Sequence, residues 1–239
     1  MDIAIAGIPK TIDNDIPIID SSFGFQTSVE EAHRAIESAR VESHSHEYGV
    51  GVIKLMGRDS GWIAMTAAMS ATSVALCLIP EFPYNLNGEN GVLEYCFKRL
   101  TVRKRMVIVV AEGATFKDFK LVGEGTDASG NQKQAEVAPA FTKELEKYCK
   151  SKGMKITLKY IDPSYMIRSV PANAYDSKYC AYTGANAVHG LMGGFTGFTN
   201  GLVCGKNCLI PLKEICSEKY NKRIPHNFKL WRRFLSHSG

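Results

Sequence analysis

Asp13, Asn14 and Asp15 follow the apolar run IAIA at residues 3–6, inside the stretch GIPKTIDNDI. Carboxylates that close together cannot all be buried unpaired, so the turn must meet cations, hydrogen-bond donors or water. One carboxylate could take a proton from a substrate hydroxyl while the other holds a cation, a division of labour that recurs in phosphoryl transfer. Lys10 and the hydroxyl of Thr11 add a positive charge and a donor suited to phosphate oxygens. The alternative is an Asx-turn closed by its own side chains.

Three further stretches carry polar residues directly after apolar runs. In KLMGRDSGWIA, Met56 leads into Gly57 and Arg58, and a helix expected from about Ser60 would aim free N–H groups and its positive end at an anion. Arg58 could bind that anion as a planar fork, or Ser60 could simply cap the helix and leave Arg58 in solvent. VIVVAEG ends on Glu112, an acid that calls for a base or for ligand hydroxyls, such as those of a sugar. KYIDPSYMIR gathers Lys159, Asp162, Tyr165 and Arg168, which suits a dianionic phosphate or, equally, a surface ion-pair network.

These residues need a scaffold, and the hydrophobic pattern supplies one. Strand-like runs (IAIA, VGVIKLM, VALCLI, MVIVVAE, KITLKYI) alternate with segments of helical period, starting near Gly24 and near Ser60 and covering VLEYCFKRL, AEVAPAFTKELEKYCK and YDSKYCAYTGANAVHGLM. Such alternation predicts the α/β class, mostly parallel sheet flanked by helices. Chemistry in these folds collects in crevices at the carboxyl ends of strands, where all four stretches fall. The polar segment LVGEGTDASGNQ reads as a surface turn, and GGFTGFTNG, after a helix and leading into a strand, also reads as a turn. His189 falls in a helical apolar pattern and is expected to be packed or capped.

Composition removes several classes of function. The chain has 239 residues, 45% of them hydrophobic and 22% charged, which is ordinary for a globular protein of one large or two modest domains. Seven cysteines without a CxxC pair suggest free thiols in a reducing compartment, and Cys204 and Cys208 lack the histidines a zinc site would want beside them. No apolar run reaches the length of a membrane helix and no signal pattern opens the chain, so membrane partners are not expected and a cytoplasmic location is. The formal net charge of +5 is modest. Its excess lies in KYNKRIPHNFKLWRRF, which reads as a solvated helix face anchored by Trp231 rather than as a nucleic-acid site.

Taken in order and at their spacing, the four stretches resemble the 6-phosphofructokinases over nearly all of the chain. Lys10 before Thr-Ile-Asp-Asn-Asp, YIDPSYMIRSVPANAYD and the loop DASGN are most similar to the plant-type and protist ATP-dependent branch, which is related to pyrophosphate-dependent enzymes. The resemblance implies glycolytic transfer of a phosphoryl group from ATP, or alternatively from pyrophosphate, to the 1-hydroxyl of fructose 6-phosphate. Mg2+ would assist and the product would be fructose 1,6-bisphosphate. Asp13 would be the general base, grouped with Thr11 and Arg58 around the reacting atoms, and Asp15 would hold the metal. Lys10 would face the donor. Met56, Gly57, Arg58 and Glu112 would hold the fructose, while Lys159, Tyr165 and Arg168 would grip the 6-phosphate. A homo-oligomer is usual for the family.

Two departures accompany the likeness. Gly49 stands at about the place where bacterial short forms carry an arginine that reaches a neighbouring subunit's 6-phosphate. The glycine loops of Gly-Gly-Asp type that seat the donor precede the aspartate motif in the family, and here nothing later replaces them, since no GxxxxGK[ST] is present. Residues 25–166 are therefore expected to form a sugar-phosphate domain, with 1–24 and 167–239 as remnants of a nucleotide domain that expose apolar surface. Two functions follow: the catalytic part of a phosphofructokinase, or a non-catalytic sugar-phosphate-binding or regulatory subunit. Asp13 favours the first, because binding alone needs no general base.

Overall fold

Strands and helices alternate as the periodicity requires in the computed structural model, which describes residues 3–119 and 136–238. The turn expected over LVGEGTDASGNQ, with its DASGN, lies outside the described residues. In chain order the elements are β1 (Ala6–Gly7), α1 (Phe25–Ser43), β2 (Gly49–Leu55), α2 (Trp62–Ser70), β3 (Val74–Leu78), α3 (Val92–Arg103), β4 (Arg105–Ala111) and α4 (Val137–Ser151). β5 (Thr157–Ile161), α5 (Ser164–Arg168), α6 (Ala174–Met192), β6 (Phe198–Val203), β7 (Lys206–Pro211), α7 (Leu212–Ile215) and α8 (Lys229–Ser238) complete them.

Four strands form an all-parallel sheet in the order β3-β4-β2-β5. Its central strands read GVGVIKL and RMVIVVA, the unbroken apolar runs that burial on both faces demands. One apolar cluster joins α1 and α2 to the sheet through Ile36, Ile53 and Ile63. A second joins α3 and α4 through Leu93, Ile108 and Phe141. At Gly49 a Cβ would collide with the Ser43 carbonyl at the end of α1, so the tight α1–β2 connection leaves no room for an arginine there.

The other sheet has three strands in the order β1-β6-β7, with β1 and β6 parallel and β6 and β7 antiparallel. Here the structure corrects several sequence expectations. The run IAIA forms a strand only at its last residue: β1 pairs Ala6 and Gly7 with Phe198 and Thr199, and Ile3 and Ile5 remain exposed. GGFTGFTNG is a turn only as far as Gly197, because β6 begins at Phe198 and runs through Gly201, which packs on Ile19. His189 is exposed on α6 instead of packed.

The tail departs from the expected division at residue 167. Trp231 and Phe234 of α8, with Ile224 before it, are buried in the apolar cluster beneath the four-stranded sheet. The Trp231 ring lies 5.2 Å from Phe82 and 5.5 Å from Phe234. The reason is physical: an amphipathic helix goes where its aromatic stripe is covered, and α2 and β3 offer that cover.

Candidate active site

A cavity of about 550 Å³ opens where the carboxyl ends of β1 and β2 meet the start of α1 and the end of α5. Lys10, Thr11, Ile12 and Asp13 line it from the turn after β1. Phe23, Gly24 and Thr27 come from the start of α1, Met56 from the end of β2, and Ile167 and Arg168 from α5. Its size suits a ligand of sugar-phosphate dimensions.

The aspartate turn is closed partly by side chains, through a Thr hydroxyl and a longer-range Asn bond rather than an Asx-turn. Thr11 Oγ1 accepts the Asp13 N–H at 3.1 Å, and the buried Asn14 Oδ1 accepts the Ser22 N–H at 3.0 Å. Asn14 has φ 57, in the left-handed region that asparagine tolerates better than most residues. That conformation separates the two aspartates. Asp13 faces the cavity, half-buried, while Asp15 is exposed.

Burial raises the Asp13 carboxyl above its ordinary range, and the charges of Asp15 and Glu112 push it the same way. Arg168 and Arg58 pull it down without cancelling the rise. A carboxylate displaced toward neutrality is a stronger base than a solvated one, as proton abstraction from a hydroxyl requires.

The loop after β2 supports this wall. Ser60 Oγ donates to the Asp13 carbonyl at 3.2 Å, tying the Met56–Arg58 stretch to the aspartate turn. Gly57, at φ 130, and Gly113 allow the two loops to touch: Gly113 N–H donates to the Gly57 carbonyl at 3.0 Å, and a Cβ on Gly113 would run into the Arg58 carbonyl. That closeness sets Arg58 Nε 3.8 Å from Glu112 Oε1, both partly exposed. Ser60 does not cap the helix. α2 begins at Trp62 behind Gly61, whose N–H donates to Glu81 Oε1 at 2.9 Å, so a protein carboxylate occupies the helix end that might have held a phosphate.

The fourth stretch divides. Arg168 reaches the cavity, with Nε 3.1 Å from Met56 Sδ, and Tyr165 stands 81% exposed one turn earlier on α5. Asp162 instead accepts from Lys54 at 3.0 Å and from the Ser164 hydroxyl at 2.5 Å. Lys159 is not brought to the site. It lies in mid-β5 opposite Gly51, with Nζ 3.7 Å from Glu42 near the far end of α1. Gly51 precedes Met56 by about 16 Å at the rise of about 3.3 Å per strand residue.

For a metal, the carboxylates at hand in the turn are the exposed Asp15, expected to hold it, and the half-buried Asp13. Among the described residues no three His, Cys, Asp or Glu side chains converge into a closed cage. This suits Mg2+, which keeps most of its waters and takes one or two carboxylates plus phosphate oxygens. The like charges that raise Asp13 are a second reason for a cation to be favourable here.

Sequence reasoning missed two residues that build the site. Asp176 on α6, with no exposed surface, accepts from Gly24 N–H at 2.8 Å, Thr27 N–H at 2.7 Å and Thr27 Oγ1 at 2.6 Å, so it holds the start of α1. A local signal existed, because Asn173 caps α6 by accepting the Asp176 N–H at 3.0 Å, an Asn-x-x-Asp pattern. Lys222, from the tail, donates to Asn14 Oδ1 at 2.7 Å, the Ile19 carbonyl at 2.6 Å and the Asp20 carbonyl at 3.0 Å. Burial lowers its pKa to about 8, against the opposing pull of Asp20 and Asp15.

Comparison with known proteins agrees with this geometry. Residues 1–191 match the family model described as Phosphofructokinase. The chain is 49% identical over 236 residues to "ATP-dependent 6-phosphofructokinase 7" of Arabidopsis thaliana, covering 98% of this chain and 48% of that protein. It is 45% identical over 237 residues to "ATP-dependent 6-phosphofructokinase 5, chloroplastic" of the same plant, covering 99% of this chain and 44% of that one. The chain thus spans about half the length of these relatives. A solved structure, the pyrophosphate-dependent phosphofructokinase of Marinobacter aquaeolei, matches 99% of this chain and 60% of its own with a TM-score of 0.75 at 22% identity, a likeness of fold. With its aspartate turn, its Met-Gly-Arg loop and its parallel sheet all accounted for, the chain belongs to the phosphofructokinase family.

Proposed function

We propose that the chain is the sugar-phosphate-binding and base-bearing half of an ATP-dependent 6-phosphofructokinase. Fructose 6-phosphate would lie in the cavity with its 6-phosphate toward Arg168 and Tyr165 and its 1-hydroxyl toward Asp13. The observation that carries the reading is the convergence of Asp13, Met56 and Arg168 on one cavity, with the Asp13 carboxyl raised by burial. In the reaction, the 1-hydroxyl oxygen forms a bond to the γ-phosphorus, its proton passes to Asp13, and the bond to the leaving ADP oxygen breaks. Lys10 and Thr11 would face the transferring group, Asp15 would hold Mg2+, and Arg58 and Glu112 would orient the reacting end of the sugar. Mg2+ would neutralise phosphate charge. Lys159 has no part in this arrangement.

The donor site belongs to the rest of the proposal. Among the described residues no glycine loop cradles a second phosphate group, and the relatives are about twice as long as this chain. The strands and helix of the three-stranded sheet would be the share of the nucleotide domain present here, covered in the whole enzyme by further chain or by a second copy of the subunit. The free thiols suit a reducing compartment such as the cytoplasm.

Calorimetric titration with fructose 6-phosphate, followed by a coupled assay with Mg2+ and either ATP or pyrophosphate, tests the reading. Saturable binding of the sugar phosphate is expected, and its absence would overturn the proposal. Turnover with pyrophosphate alone would reassign the donor and leave the acceptor site standing. Where turnover is seen, Asp13→Asn is expected to lower it by about 10²–10⁴ while changing sugar affinity little. Binding without turnover under any donor would favour the sugar-phosphate-binding subunit instead.

A further inference from the structure

The loop that follows Asp13 is held in an unfavourable backbone conformation. Asn14 has φ 57 and Ile18 has φ 72, and a β-branched side chain in the left-handed region is a genuine outlier. Strain of that kind persists only where surrounding contacts over-determine it. One ammonium group supplies three of those contacts, since Lys222 Nζ reaches Asn14 Oδ1, the Ile19 carbonyl and the Asp20 carbonyl across some two hundred residues of chain.

The tail that delivers Lys222 is itself fixed to the start of α2 and to Glu81. Trp62 Nε1 donates to the Lys222 carbonyl at 2.7 Å, and the N–H of the buried Ile224 donates to Glu81 Oε1 at 3.1 Å. Glu81 Oε1 is the same atom that accepts from Gly61 at the start of α2. Phe228 then packs edge-on against Trp62 at 5.3 Å, and Trp231 anchors α8. The loop bearing Met56 to Arg58 runs into this helix start. The two loops that bear Asp13 and Arg58 are therefore braced to each other through the tail, in addition to the Ser60–Asp13 bond.

We propose that Lys222 is a positioning residue that locks the 13–20 turn, and with it the Lys10–Asp13 wall of the cavity, to the start of α2. It touches no reacting atom. The proposal rests on the sugar-phosphate reading for its functional consequence, but its structural part stands apart from that reading.

The experiment compares Lys222→Met, which keeps the aliphatic stem and removes the charge and donors, with two controls in the full chain. Arg223→Met removes the neighbouring exposed charge, and Trp231→Phe loosens the tail helix without touching the brace. Backbone hydrogen exchange is read without ligand, and fructose 6-phosphate affinity by calorimetry. For Lys222→Met, exchange over residues 13–22 is expected to rise about tenfold while β2 and β4 keep their protection, with affinity weakened about tenfold. Neither control should reproduce that local pattern, even where Trp231→Phe lowers Tm as much. Unchanged exchange over 13–22 in Lys222→Met overturns the brace, whether or not the sugar phosphate binds. Local loosening with unaltered affinity in a protein that binds the sugar overturns the positioning role. A wild-type chain that binds no fructose 6-phosphate yet loosens on Lys222→Met would defeat the proposed function and leave the brace intact.

Discussion

The two sheets obey the same chemistry to different degrees of completion. The four-stranded sheet is covered on both faces, and its clusters include Ile53, Leu55, Ile108 and Phe141, none with any exposed surface. The three-stranded sheet is covered by α6, which buries a narrow stripe of Tyr179, Thr183, Ala187 and Gly190. The same helix turns Tyr182, Val188 and Met192 outward, near the exposed Phe195 and Leu209. A helix apolar on two sides is written for burial on two sides. Buried polar atoms do not separate the two: among the described residues, Ser73 Oγ and Glu81 Oε2 beside the larger sheet lack partners, as do Thr199 Oγ1 and Asn200 Oδ1 in the smaller. The larger sheet is a finished core, and the smaller one leaves apolar side chains of its covering helix exposed.

The largest test of that contrast is a deletion inside the finished core. Phe141 stacks on Phe116 with ring centroids 6.0 Å apart and has no exposed surface. Phe141→Ala is expected to cost about 3–5 kcal/mol, and thermal unfolding should shift down by about 10 °C or more. A shift of only a degree or two would mean that the larger sheet is no better packed than the smaller.

The next test lies at the seam between the two units, where α5 leads from β5 toward α6. Arg168→Ala should weaken fructose 6-phosphate binding by roughly 1.5–3 kcal/mol, the range for a hydrogen bond to a charged group, as read by calorimetry. Its Tm should change little, because the residue is exposed and touches the core at Met56. A loss of stability equal to the loss of affinity would make Arg168 a structural element of the seam rather than a phosphate ligand.

Asp13→Asn should act in the opposite direction on stability. The folded carboxyl titrates above its ordinary value of 3.8, so the fold favours the protonated form. That favour is fully present below 3.8 and is lost as the pH rises through the raised value, leaving an uncompensated charge near neutrality. The amide lacks the charge at every pH. Scanning calorimetry should show the variant more stable than wild type at pH 7, by about 2 °C, with the gap closing as the pH is lowered toward 3. Equal Tm values at pH 7 would mean that Arg58 and Arg168 already neutralise the site.

Legibility followed the range of the forces involved. β2 and β4 could be read because burial on both faces leaves an apolar run no other explanation, and α1 and α4 because their periodicity is local. The aspartate turn and the Met-Gly-Arg loop could be placed at strand ends for the same reason. Lys159 is a neighbour of Arg168 in the motif but not in space, because a strand carries its residues steadily away from the site. Glu81 and Lys222 could not be seen at all. Each acts through contacts that cross 20 to over 200 residues, and nothing in NKR distinguishes the half-buried Lys222 from the exposed residues on either side of it.

The smallest expected effect is the one that bears most directly on the unfinished sheet. Met192 is 81% exposed at the end of α6, so Met192→Lys removes no packing and adds a charge next to the helix C-terminus, where a cation is favoured by about 0.3–1 kcal/mol. Tm should stay within about 1–2 °C of wild type. Where the wild type self-associates, sedimentation velocity should nevertheless show less of it, because the charge falls on one of the exposed apolar side chains of α6. The pairing of an unmoved Tm with altered association distinguishes an interface from a core. A fall in Tm comparable to that of Phe141→Ala would place Met192 in a packed environment, and the contrast between the two sheets would fail at its weakest side.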